Sequence, residues 1–295
     1  MDVIDMIQGE GRRRGLSKRT ILAYTACVSS FLAWRKKEPL HITKRDIQAY
    51  LDVLIAHGAC GNTLNVYLAS LKFFFEAVLC RSLFLYVRYS KTPKTLPTVL
   101  TQEETFGLLN AITNKTHQLA AKLMYSAGLR VSELVNLQVK DLELENSYGW
   151  VRQGKGNKDR MFVLAEGLKE ELKSHLARKN IHGGAWIFAG RHSHLHQQSI
   201  YRLIKRAAKK ARINKNVHPH TLRHSFATHL IENGYDVASV QSLLGHSSMG
   251  TTMRYLHLAP SRMINVKSPL DTLAKKEHEP AKQQKIPEKT QVKDS

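Results

Sequence analysis

The chain has 295 residues, 45 Lys+Arg against 24 Asp+Glu, and a formal charge of +21 at pH 7. Its 42% hydrophobic and 23% charged content fits a folded chain and excludes a disordered one, and the length suits two domains, each able to bury its own core. No apolar run approaches the roughly 18 residues of a membrane span, the opening MDVIDMIQGEGRRRG lacks the apolar stretch of a secretory signal, and Cys27, Cys60 and Cys80 form no CxxC pair, so a reducing, cytoplasmic setting is expected.

Residues 1–89 read as a helical domain. Ser17 caps a helix carrying Ile21, Tyr24, Val28, Phe31 and Leu32 at three- and four-residue steps and ending near Lys37. Thr43 and Asp46 form a capping box ahead of Ile47, Tyr50, Leu51 and Leu54. Gly58 and Gly61 punctuate, and Leu64, Leu68, Leu71, Phe75 and Val78 set a third helix. Residues 90–100, with two prolines and no hydrophobic period, read as a linker.

The second domain, 101–268, opens on the capping box of Thr101 and Glu104. The pattern predicts helices at 102–113, 115–127 and 131–137, then short strands at 142–144, 149–152 and 160–164. Gly154-Lys155-Gly156-Asn157-Lys158-Asp159 has the turn chemistry of a hairpin between the last two. Further helices are expected at 166–179, 198–212, 220–232, 236–244 and 249–256. The fold class is therefore mostly α with a small antiparallel sheet. Residues 269–295 hold a short segment able to dock on a neighbouring copy, and their Lys/Glu/Gln/Pro-rich remainder has little to bury.

The positive excess is spread along the body: net +8 in residues 1–100, +12 in 101–268 and +1 in the last 27. A polyanion contacting both domains fits that distribution better than a basic tail would, and nucleic acid is the obvious partner. Helix 198–212 carries Arg202, Lys205, Arg206, Lys209, Lys210 and Arg212, a face for duplex phosphates or a merely solvated one.

Three clusters carry chemistry. In Gly128-Leu129-Arg130-Val131-Ser132-Glu133-Leu134, an arginine lies between a capping glycine and the first turn of a helix, where backbone N–H groups can help hold a phosphate. In His218-Pro219-His220-Thr221-Leu222-Arg223-His224, residues 220, 223 and 224 share a helix face. His220 and His224 could ligate a metal at i, i+4, but Arg223 stands where a zinc protease has its carboxylate. Arg223 could instead grip phosphate oxygens while His220 handles a proton, with His224 and His229 as packing residues. The third cluster is Leu243-Leu244-Gly245-His246, with Tyr255 nine residues beyond the histidine.

In this order, and on so basic a chain, these clusters resemble the tyrosine recombinases of the phage integrase family, and in length and layout the Xer type most. The resemblance implies a C-shaped clamp in which a helical core-binding domain and an α+β catalytic domain hold duplex DNA. It implies that Arg130 and Arg223 bind the scissile phosphate, His220 and His246 assist, Lys155 acts as acid with Lys158 as the alternative, and Tyr255 is the nucleophile. Glu133 would orient Arg130 or His220; Lys158, Arg202, Lys205, Arg206 and Lys209 would contact DNA. A 3′-phosphotyrosyl intermediate conserves the bond energy, so neither ATP nor a metal is needed. Religation gives a Holliday junction within a homo-tetramer on a specific recombination site, alone or with a second recombinase or accessory protein, in the nucleoid and not at a membrane.

Three other readings compete. A type IB topoisomerase shares the Arg/Lys/Arg/His/Tyr logic. A non-cleaving DNA-binding regulator would need the site to be inert, although every expected side chain is present. A metal-dependent hydrolase could be built on His192, His194 and His196 together with His218, His220 and His224; the first three would line one side of a strand but have no carboxylate among them.

Overall fold

A computed structural model describes residues 2–82, 90–91, 96–152, 154, 159–190, 193–245 and 252. The chain divides into two compact units, 1–95 and 96–295.

The first unit is helical: α1 (Val3–Arg13), α2 (Lys18–Arg35), α3 (Lys44–Ala56) and α4 (Gly61–Lys72), which continues as a π-helical turn over Phe73–Val78. Ser17 caps α2 by accepting from the Thr20 N–H, and the helix stops at Lys36 in the left-handed conformation. Both halves of the expected capping box are present at Thr43 and Asp46. Asp46 also holds Arg35 and Lys37; burial works against its charge, but the Thr43 hydrogen bonds and these two cations keep its carboxyl well below the usual range. The core is aromatic, with Phe31 edge-on to Tyr50 and Phe75.

The sequence pattern does not announce α1. Its Gly9 and Gly11 weaken a helix prediction, yet Gly11 is what lets α2 cross: a Cβ there would stand 2.8 Å from Ile21 Cγ1. The π-helical turn is likewise absent from the sequence expectation.

The second unit begins with α5 (Gln102–Asn110), α6 (Lys115–Ser126) and the short α7 (Val131–Asn136). A three-stranded antiparallel sheet follows in the order β1 (Leu142–Glu143), β2 (Tyr148–Val151), β3 (Arg160–Val163), with Gly149 opposite Phe162 and Val151 opposite Arg160. Then come α8 (Glu166–Lys179), α9 (Gln197–Lys210), α10 (Pro219–Glu232) and α11 (Val237–Leu244). One core joins α5–α9, the sheet and Leu222 of α10, and a smaller cluster of Ala227, Ile231, Val240 and Leu244 fastens α11 to α10. The fold class follows the sequence expectation, as does the helix order from α2 onward apart from the π-helical turn; of the helix expected at 249–256, only Thr252 is among the described residues.

Two buried polar side chains, Ser225 and His229, fix α10. Ser225 Oγ accepts from the Leu100 N–H at 2.9 Å, and His229 bridges the Leu100 carbonyl (2.9 Å) and the Tyr125 hydroxyl (2.8 Å). His229 is thus a structural histidine. Among the described residues no helix is long and apolar enough to cross a membrane.

Candidate active site

The site is assembled around Glu133. Chain reversal after α6 places Gly128 in the left-handed conformation (φ 57°), where a Cβ would stand 2.5 Å from the Phe226 ring. Arg130 then occupies the N-cap of α7 with extended backbone, and Glu133 reaches back from the first turn. One carboxylate oxygen, Oε2, accepts from the Arg130 backbone N–H at 2.8 Å; the other, Oε1, accepts from Arg130 Nη1 at 2.5 Å. The guanidinium is held sideways against its own helix start, with 19% of the side chain exposed.

Arg223 arrives from α10, whose first turn is set by Pro219 behind the N-cap His218. Its side chain is 3% exposed and donates to the carbonyls of Gly128 and Leu244, which ties the box around Arg130 to the end of α11. Its Nη1 lies 3.7 Å from Glu133 Oε2. One turn earlier, the half-buried His220 ring stands 6.1 Å from His218 and 6.3 Å from His224. Burial pushes its pKa below the ordinary 6.5, and the charges of Arg223 and Arg130 act the same way, so the neutral ring is favoured. His218 is lowered too, by burial and by Lys205.

A third guanidinium completes the cluster. Arg160, on β3, donates through Nη2 to Glu133 Oε2 at 2.7 Å and through Nη1 to the Leu243 carbonyl at 2.6 Å. Sequence reasoning missed it. The available signal was strand parity: Arg160 shares a face with Phe162, which is 1% exposed, whereas Met161 and Val163 are exposed.

Three guanidiniums share one carboxylate, leaving a net +2. Burial opposes the charge on Glu133, but Arg160, the Arg130 N–H and the flanking arginines hold its carboxyl below the usual range. A cluster this positive, with planar guanidinium forks, suits an oxyanion.

A model of the phage integrase family matches residues 98–262, and one of the phage integrase N-terminal SAM-like domain matches residues 4–83. The chain belongs to the phage integrase family. It is a tyrosine recombinase, one of the enzymes that cleave and rejoin DNA. An integrase/recombinase of Escherichia coli is 34% identical over 316 residues, covering 92% of this chain and 94% of the relative. Tyrosine recombinase XerA of Pyrococcus furiosus is 36% identical over 254 residues, covering 84% and 87%. Among solved structures, XerH site-specific recombinase bound to palindromic difH substrate superposes with a TM-score of 0.71 at 24% identity, covering 94% of this chain and 85% of that one.

Within this recombinase the structure brings Arg130, Glu133, His220 and Arg223 together. Lys155, Lys158, His246 and Tyr255 lie outside the described residues. Arg202, Lys205, Arg206 and Lys209 share the exposed face of α9, while Ile200, Leu203, Ile204, Ala207 and Ala208 turn into the core. Of the alternative metal histidines, His192 is outside the described residues, His194 sits edge-on to Trp186, and His196 caps α9 by accepting from the Gln198 N–H. Among the described residues no three His, Cys, Asp or Glu side chains are grouped to hold a metal ion.

Proposed function

We propose that this chain is a site-specific recombinase with an Xer-like task, cutting and rejoining double-stranded DNA at a defined site. The observation that carries the reading is the cluster of Arg130, Arg160 and Arg223 on Glu133 with the half-buried His220 beside it, its pKa lowered by burial and by the neighbouring cations. In the reaction, Arg130 and Arg223 draw charge off the non-bridging oxygens as the pentacoordinate transition state forms. Tyr255 attacks phosphorus; its phenolic proton passes to His220, which its surroundings keep in the accepting form. The P–O5′ bond breaks, and the departing 5′ oxygen takes a proton from Lys155, or from Lys158 in its place. His246 donates to a non-bridging oxygen, and Glu133 keeps Arg130 aligned.

The product is a 3′-phosphotyrosyl bond and a free 5′ hydroxyl. A 5′ hydroxyl from the partner duplex reverses the step and yields a Holliday junction, so bond energy is conserved without ATP or a metal. Residues 1–89 act as the core-binding domain, 90–100 as linker, 101–268 as catalytic domain and 269–295 as docking segment and tail. Lys158 and the α9 residues Arg202, Lys205, Arg206 and Lys209 meet phosphates of the duplex. Two recombination sites, each cut once on both strands, require four tyrosine cleavages and so call for a homo-tetramer on DNA, acting in the nucleoid.

The test is incubation with a nicked suicide duplex in EDTA, read as a protein–DNA adduct resistant to denaturant. Wild type forms the adduct and Tyr255→Phe does not. Equal adduct from both would overturn the assignment.

A further inference from the structure

We infer that Arg160 is a positioning residue of this site, a strut that sets Glu133, and through it Arg130, against the end of α11. This rests on the function proposed above. Arg160 is a costly residue to place there: its side chain is 9% exposed, and its buried Nε has no hydrogen-bond partner among the described residues. An ion pair for Glu133 does not require it, because Arg130 already engages both carboxylate oxygens.

What Arg160 adds is a third element. Its fork spans from Glu133 Oε2 to the Leu243 carbonyl, one of the carbonyls that a helix end leaves unsatisfied. Arg223 takes the next, Leu244. Two buried guanidiniums therefore hold the C-terminus of α11, where the helix dipole favours cations. Gly245 follows with φ 59° and lies flat against Arg160: a Cβ there would stand 2.6 Å from its Cδ. Arg160 thus fixes both the carboxylate and Gly245, the residue that caps α11.

A second effect concerns Arg223. By occupying Glu133 Oε2 at 2.7 Å, Arg160 leaves Arg223 at 3.7 Å from that oxygen, with its fork on the Gly128 and Leu244 carbonyls. Without Arg160 the carboxylate would draw Arg223 toward itself and shift both phosphate-binding arginines together. Misplacement on the order of 1 Å costs a reaction about 100-fold.

The experiment measures adduct formation on the suicide duplex at saturating protein, beside DNA affinity, for Arg160→Met, Arg160→Lys, Glu133→Gln and the double variant Arg160→Met/Glu133→Gln. Arg160→Met is expected to form adduct about 100-fold more slowly with affinity changed less than about 3-fold. Arg160→Lys, which keeps the charge and one of the two hydrogen bonds, recovers part of the rate. The double variant is no more than about 3-fold slower than the slower single, because both substitutions cut the same strut. Multiplicative losses, or a rate for Arg160→Lys and Arg160→Met within about 3-fold of wild type, would overturn the inference. Should Arg160→Met not fold, Arg160→Lys alone decides: a wild-type rate refutes, a slowing at unchanged affinity supports. A wild-type chain without adduct defeats the functional reading itself, which separates the two failures.

Discussion

Replacing Glu133 by Gln tests the electrostatic logic of the site more severely than removing any one arginine. The carboxylate is 5% exposed and faces guanidinium nitrogens at 2.5, 2.7 and 3.7 Å. The amide keeps the shape and loses the charge, and its NH₂ end must point at an arginine donor. Breaking a buried ion pair typically costs about 3–5 kcal/mol. Arg130 is 19% exposed and can recover some hydration, which places the loss at the lower end, about 3 kcal/mol. For a domain of this size that corresponds to a melting transition roughly 6–12 °C lower.

The same change raises the net charge of the cluster from +2 to +3. Added inorganic phosphate, with ionic strength held constant, should therefore recover more stability in Glu133→Gln than in wild type. Calorimetry with and without phosphate reads both effects. Glu133→Asp, shorter but still charged, should fall between the two. A melting loss for Glu133→Gln under roughly 2 °C, or equal phosphate stabilisation in both proteins, would refute the account of Glu133 as the hub of a cationic anion site.

Three further outcomes are expected. Because burial and the neighbouring cations lower the His220 pKa, its protonation should cut adduct formation only below the ordinary 6.5, as pH falls through the lowered value; a second-order rate profile shows that acid limb, and its presence in His220→Gln would assign it elsewhere. Gly128→Ala combines a left-handed backbone with a Cβ 2.5 Å from the Phe226 ring, for a loss of about 2–4 kcal/mol by chemical denaturation; a neutral effect would contradict the packing. Changing Arg202, Lys205, Arg206 and Lys209 to Gln one at a time should lower the salt slope of DNA affinity by about 0.9 for each residue that neutralises a phosphate, and an unchanged slope removes that residue from the interface.

Much of the fold is legible in the sequence because its signals are local. Ser17, Thr43 and Thr101 announce the helices they cap, and α9 alternates charge and apolar residues at helical spacing. The helix α1 is not legible, since Gly11 reads as a weakness until α2 is known to cross it. The same division holds at the site. Arg130 and Arg223 stand out in short motifs, and Glu133 can be placed one turn from Arg130. Arg160 cannot, because its partners Glu133 and Leu243 lie 27 and 83 residues away in sequence and only the folded chain joins them.

In the proposed reaction one phenolic oxygen carries the cleaved strand. The adduct formed on the suicide duplex can be digested with nuclease and trypsin and the nucleotide-bearing peptide read by mass spectrometry. The proposed chemistry predicts a 3′-linked nucleotide on Tyr255, in the tryptic peptide spanning residues 255–262. A nucleotide on any other residue, or linkage through a 5′ phosphate, would contradict it.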